Sequence, residues 1–290
     1  MRAKPSPEDE VVNTPAGRMT ASASPTGVER IAAAFAAAPG RAALMPYMMG
    51  GFPDLESSVA IGEACADAGA DLIELGVPFS DPLADGPVIH AAATRALAAG
   101  AALHGILQVA ARIAERVPVV LMCYANPLLA RGVERSADEL AQAGASGLIV
   151  PDLPYQESDA VLAACDANGL ALVPLIAPTT PEERLAQIAR RARGFVYTVS
   201  LTGTTGERAS LRDSLGPVIA RAKAHSPVPV AVGFGISSPE QAAATAAAGA
   251  DGVIVGSRLV RAAGEAADAG ADPAAAVGAV VAALAGALKR

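Results

Sequence analysis

Tryptophan is absent from the 290 residues, and aromatic residues make up only 3% of them. The core must therefore be built from Ala, Val, Leu and Ile, which the 52% hydrophobic content supplies. Lysine is nearly as scarce. Only Lys4, Lys223 and Lys289 occur, in the tail, a helical stretch and the C-terminus, so no lysine sits on a strand. The histidines, His90, His104 and His225, show no metal-ligand spacing, and no metal site is expected. Cys65, Cys123 and Cys165 are odd in number, far apart and set among apolar residues, as in a cytoplasmic protein with reduced, partly buried thiols. No basic run offsets the net charge of −7, which excludes a nucleic-acid binder of the usual basic-stripe kind. A phosphate would have to be held locally, by backbone N–H groups and helix N-termini. The uncharged, Ala-rich run 273–288 is too short and too weakly hydrophobic to span a membrane, and is expected to be a packed terminal helix. Residues 1–27 are rich in Pro, Ser and acidic residues and lack the apolar centre of a signal peptide. They are expected to be a disordered extension preceding one domain, 28–290.

Short apolar runs alternate with Ala-rich helical stretches. Eight strands are expected, at 43–49, 71–75, 118–124, 147–150, 171–176, 194–199, 228–233 and 252–255. Strands separated by crossover-length helices imply parallel β-α-β units, and continuously apolar strands imply burial on both faces. Three junctions share one design: Ala68-Gly-Ala-Asp-Leu-Ile, Ala143-Gly-Ala-Ser-Gly-Leu-Ile and Ala248-Gly-Ala-Asp-Gly-Val-Ile. A fourth copy at Asn168 is looser. In each, Gly suits the left-handed residue that ends a helix, and an apolar strand follows. Eight such units in this length favour a single-domain α/β (β/α)8 TIM barrel with an N-terminal helix, over an open doubly wound sheet. No dinucleotide-binding glycine fingerprint follows the first strand.

Barrel chemistry sits where strands end and loops begin. The second strand carries Glu74 in an otherwise apolar run, and alternation turns Leu72, Glu74 and Gly76 to the barrel interior. A carboxyl group buried there has a raised pKa and can donate or accept a proton near neutral pH. Position alone equally allows a Glu paired with an Arg in the barrel floor. The following loop offers Asp81 and Asp85, stiffened by Pro78, Pro82 and Pro87. Ser80 or Asp81 can serve there simply as a turn cap. Late in the chain, glycine turns follow three strands, at Thr202–Gly206, Gly233-Phe-Gly235 and Gly256-Ser257. Each alone is a tight turn. Together they suit a barrel phosphate site, with Arg258 either adding charge or lying on a helix surface.

The segment LIELGVPFSDPLADG (72–86) resembles the signature of the tryptophan synthase alpha subunit family. PYMMGGFPD with Tyr47, MCYANPLL with Tyr124 and Asn126, IVPDLP with Asp152, Tyr197 before SLTGTTG, GFGISSPEQ and VGS follow in the same order. The resemblance covers residue 28 to the C-terminus. It implies Glu74 as the catalytic acid–base group and Asp85 as the partner of the indole N–H. Tyr47, Tyr124, Tyr197, Thr205 and Phe234 would contact substrate. Gly206, Gly233, Gly235, Gly256 and Ser257 would bind phosphate. Residues 201–212 would form a lid. Pro78, Asp81 and Asn126 would face a separate beta subunit in an α2β2 assembly. That subunit, not this one, would carry pyridoxal phosphate.

The implied reaction is retro-aldol cleavage of indole-3-glycerol phosphate, the work of a lyase. Such a reaction needs an electron sink. With no strand lysine and no metal cluster in the sequence, the indole ring itself can supply one. Other readings remain: another phosphate-binding barrel, such as indole-glycerol-phosphate synthase or a sugar-phosphate isomerase, or a barrel that acts mainly as an activating partner.

Overall fold

The computed structural model describes residues 24–199, 211–233 and 235–288, the side chains of 211–214 aside. The chain enters through α1 (Gly27–Ala36), whose start is held by a reciprocal cap between Thr26 and Glu29. Nine parallel strands follow: β1 (Ala43–Met49), β2 (Ile73–Gly76), β3 (Val119–Met122), β4 (Gly147–Ile149), β5 (Ala171–Val173), β6 (Leu175–Ile176), β7 (Val196–Val199), β8 (Val230–Gly233) and β9 (Gly252–Val255). The helices lie between and around them.

The sheet runs β5-β4-β3-β2-β1-β9-β8-β7-β6. Its two ends, β5 and β6, are pieces of one apolar run interrupted by Pro174. β5 pairs with β4 and β6 with β7, so the sheet rolls into a nearly closed barrel of eight strand positions. The single strand expected at 171–176 is therefore two. Proline has no N–H to donate to the ladder, and at Pro174 only the carbonyl is used, accepting the Tyr197 N–H at 2.9 Å.

Strand entrances explain the repeated junction. Gly69, Gly144 and Gly249 take positive φ of 102°, 73° and 101°, as does Gly169 in the looser copy, at 67°. The following N–H of Ala70, Ala145 and Ala250 returns to the preceding helix. The next N–H, on Asp71, Ser146 and Asp251, bonds to a neighbouring strand. The aspartates do more. Asp71 accepts the Leu44 N–H at 2.8 Å and pairs with Arg41, while Asp251 accepts the Val230 N–H at 2.9 Å and pairs with Lys223. These carboxylates tie down strand starts at the closed end of the barrel. That duty is why the second strand begins at Ile73 rather than 71.

α1 covers this closed end. Ile31 is fully buried, and Phe35 packs against Phe195 with ring centroids 5.9 Å apart. At the other terminus α12 (Pro273–Leu288) buries Val277, Val281, Leu284 and Leu288, which makes the uncharged run the packed helix expected of it. No single helix among the described residues is long and apolar enough to cross a membrane. Cys65, Cys123 and Cys165 are free thiols and all buried.

Candidate active site

At the open end, strand register assembles the site. Tyr47 on β1 lies opposite Glu74 on β2, and Glu74 lies opposite Val120 on β3. Alternation turns the Glu74 side chain inward, where it lines a cavity of about 180 Å³ together with Tyr47, Tyr197 and Asp85. Glu74 is 1% exposed, and neither carboxyl oxygen has a hydrogen-bond partner among the described residues. An arginine pairing in the barrel floor is thereby ruled out among those residues. Burial, with a smaller push from the charge of Asp85, raises its pKa to about 8. The group is protonated at neutral pH and close to the point of releasing its proton.

Asp85 sits on the loop between β2 and α3 (Pro87–Ala98) and is half-buried. The Tyr124 hydroxyl donates to its Oδ1 at 3.0 Å and accepts the Ala84 N–H at 3.0 Å. Tyr124 in turn stacks on Phe79, with centroids 5.3 Å apart. Three groups from two loops thus fix one carboxylate. Burial raises the Asp85 pKa, opposed by the Tyr124 hydrogen bond and the nearby His90. Asp81 behaves differently. Its carboxylate is exposed and accepts the Ser80 hydroxyl at 2.7 Å, while its carbonyl accepts the Leu83 N–H, so it shapes the turn and does not line the cavity.

Tyr47 and Tyr197 are buried, and burial plus the neighbouring carboxylates raises both phenol pKa values well above the ordinary one. Both stay neutral. Glycines make room for them. A β-carbon on Gly76 would lie 2.2 Å from the Tyr47 hydroxyl oxygen, and one on Gly233 would lie 2.3 Å from that of Tyr197.

The cavity is also lined by Gly235, Ser237, Gly256 and Ser257. Gly235 has φ 79° and Gly256 precedes α11 (Ser257–Asp268). No side chain caps that helix and no acidic residue lies in its first turn, and Gly256, Ser257 and Arg258 at its N-terminus line the cavity. Arg258, whose role the sequence leaves open, lines the cavity, and Arg261 joins it. Sequence reasoning passed over Arg261, although it lies one turn beyond Arg258 on the same helix face. It also passed over Ile89, Met122 and Ile236 in the wall, and Phe79 behind Tyr124.

Thr205, Gly206 and Phe234, and residues 201–210 of the expected lid, lie outside the described residues. Pro78 is buried at the root of the β2 loop, whereas Asn126, on α5 (Ala125–Arg131), is exposed. Lys223 is far from the chemistry in function. It is held at the closed end by the Gly249 carbonyl and Asp251. Among the described residues no group of three His, Cys, Asp or Glu side chains could hold a metal. A second cavity of about 530 Å³ shares Ala84, Asp85 and Met122 with the first and extends past Pro174 towards α8 (Glu182–Arg191).

Comparison with known proteins agrees with this geometry. The family model for the tryptophan synthase alpha chain matches residues 34–289. The tryptophan synthase alpha chain of Prochlorococcus marinus (strain MIT 9313) is 51% identical over 226 residues, covering 77% of this chain and 82% of that one. That of Gloeobacter violaceus is 49% identical over 245 residues, covering 84% and 88%. Among solved structures, the tryptophan synthase alpha subunit from Legionella pneumophila superposes with a TM-score of 0.83 at 36% identity, covering 91% of this chain and 98% of that one. A chain of Mycobacterium tuberculosis tryptophan synthase gives 0.81 at 40%, covering 90% and 98%.

Proposed function

The chain belongs to the tryptophan synthase alpha chain family, and from that premise we propose how its residues perform the cleavage of indole-3-glycerol phosphate to indole and glyceraldehyde 3-phosphate. The carrying observation is Glu74, a carboxyl group without a partner among the described residues, buried in a barrel wall beside a fixed second carboxylate. Neutral Glu74 donates its proton to indole C3, turning the ring into an electrophilic indolenine. Asp85 accepts a hydrogen bond from N1–H and offsets the positive charge that develops there. The Glu74 carboxylate then takes the proton of the glycerol hydroxyl as the carbon–carbon bond breaks, and the enzyme returns to its starting state. Tyr124 positions Asp85, and Tyr47 and Tyr197 enclose the ring. On this reading the chain is a lyase and needs no cofactor of its own.

The phosphate is assigned to the N-terminus of α11 with Ser257, Gly256 and Gly235. Gly206, Gly233 and Phe234 complete that site in the proposal, and residues 201–212 with Thr205 close over it. The partner is a beta subunit carrying pyridoxal phosphate, in an α2β2 complex to which indole is passed. Leu83 and Leu129, 91% and 60% exposed, lie near Asp81 and Asn126 and support a docking face there. Residues 28–290 are taken as one barrel domain with an N-terminal extension, working in the cytoplasm.

Glu74→Gln tests the proposal. Substrate binding is expected to persist while indole release falls by about three orders of magnitude or more, as expected for loss of an essential acid–base group. Near-normal release would remove Glu74 from the mechanism. An isolated wild-type chain that binds the beta subunit yet releases no indole under any condition would favour a purely activating partner.

A further inference from the structure

Most arginines of the described chain have a fixed employment. Arg41 pairs with Asp71, Arg95 with Asp268, Arg131 and Arg135 with Glu139, and Arg221 with Glu182. Arg258 and Arg261 have no hydrogen bond or ion pair with any described residue, although both line the cavity that contains Glu74 and Asp85. They stand three residues apart on α11, hence on one face, and the first turn of that helix carries no acid to neutralise them. The same cavity holds the carboxyl group of Glu74, 1% exposed and without a partner among the described residues. The space is therefore polarised. Its lining combines a neutral acid and two guanidinium groups beside a positive helix terminus, none of them with a hydrogen-bond partner among the described residues.

We infer that Arg258 and Arg261 are specificity-determining residues that read the charge of the substrate's phosphate, supplementing the backbone cradle around Ser257 with cationic contacts to the dianion. The inference rests on the phosphate placement proposed above and deepens it. A backbone cradle supplies hydrogen bonds and a fraction of a charge. Guanidinium groups add full charges in a planar fork that suits phosphate oxygens. Binding energy gathered there, away from the reacting carbon, orients the ring against Glu74 and Asp85.

The test compares wild type with Arg258→Met, Arg261→Met and the double variant. Arg258→Lys is the conservative variant, and Arg190→Met, an exposed position on α8, is the charge-matched control. Two measurements are made: steady-state cleavage of indole-3-glycerol phosphate and of its dephosphorylated analogue indole-3-glycerol, and calorimetric binding of inorganic phosphate at pH 8. The double variant is expected to raise KM for the phosphorylated substrate by about tenfold or more, with a parallel loss of inorganic-phosphate affinity. Its kcat/KM for indole-3-glycerol should match that of wild type, Arg258→Lys should recover part of the loss, and Arg190→Met should behave as wild type. A double variant whose KM and phosphate affinity stay within about twofold of wild type, well under the tenfold of one charged contact, overturns the inference and leaves the cleavage reading standing. Equal losses on both substrates also overturn it, because they mark structural damage. Should wild type cleave neither substrate, the cleavage reading fails, and the calorimetric arm alone then decides whether the arginines bind phosphate.

Discussion

Tyr47 and Tyr197 occupy equivalent places in two strand pairs on either side of the β1–β9–β8 arc. Tyr47 faces Glu74 across the ladder and its hydroxyl lies over Gly76, two residues further along β2. Tyr197 faces Ala231 and its hydroxyl lies over Gly233, two residues further along β8. In a parallel barrel, side chains two residues apart point the same way, so each large ring demands a missing side chain at the next inward position of its neighbour strand. These glycines are packing partners of the site. Gly76→Ala is expected to displace the Tyr47 ring and to cost about 1–3 kcal/mol, the usual penalty of overpacking a close-packed interior. Tyr47→Phe in that background should return part of the stability by removing the atom in closest conflict, which thermal denaturation of the two variants would reveal. Restoration of nothing would mean that the backbone, and not the hydroxyl, carries the conflict. Asp85 makes a second residue-scale case. Tyr124→Phe removes the hydroxyl that donates to Asp85 and accepts from Ala84. A fall in kcat/KM of about tenfold is expected, near the net worth of one hydrogen bond to a charged group. A fall as deep as that of Asp85→Asn would show that Tyr124 does more than position the carboxylate.

At the scale of elements, α1 is joined to the barrel by Ile31, by Phe35 and by the polar contacts of Arg30. Arg30 donates to the carbonyl of Gly144 at 2.9 Å, just beyond the end of α6 (Val133–Gln142), and to that of Ala114, the last residue of α4 (Leu103–Ala114). A cation at two helix C-termini meets carbonyls that lack intrahelical partners. Arg30→Ala should therefore destabilise the protein by about 1–3 kcal/mol and raise hydrogen exchange first in α1 and the ends of α4 and α6. Uniform loss of protection across all strands would contradict a local role. Elements also show what sequence can carry. The α12 run was legible because an uncharged Ala-rich stretch with Pro at its start has few other ways to fold. The helix-to-strand junctions were legible because their glycines need positive φ, a demand that local sequence states openly. The division at Pro174 was also written in the sequence, but the apolar run around it concealed the break. Arg30, Arg41 and Asp71 were not legible as a set, because their partners are distant in sequence and meet only when the barrel closes. The same is true of Arg258 and Arg261, whose importance depends on which cavity their helix borders. Glu74 is legible as one polar letter in an apolar strand; its lack of a partner among the described residues is a fact of three dimensions.

At the scale of the whole molecule, the site is held at a cost in stability that depends on pH. Glu74 has an ordinary carboxyl pKa of 4.5 when exposed and about 8 when buried in the fold. Below pH 4.5 the group is protonated in both the folded and unfolded states, and it contributes no dependence on pH. Between 4.5 and about 8 the unfolded chain releases this proton while the folded chain retains it. The folded state then binds more protons, so its stability falls as pH rises through that window, and the fall ends above the folded pKa. Glutamine is close in shape and cannot ionise. Glu74→Gln should thus match wild type most nearly at pH 5 and gain on it steadily towards pH 8 or 9, an advantage measurable as a growing difference in Tm or denaturation midpoint. Activity of wild type should move the opposite way to the variant's stability advantage, declining above about pH 8 as the proton-donating form of Glu74 disappears. A difference in Tm that stays constant from pH 5 to 9 would mean that Glu74 is charged in the fold throughout that range, as it is in the unfolded chain. That result would remove the proton-donor role, since a donor must hold its proton at the pH where the barrel works and be able to give it up there.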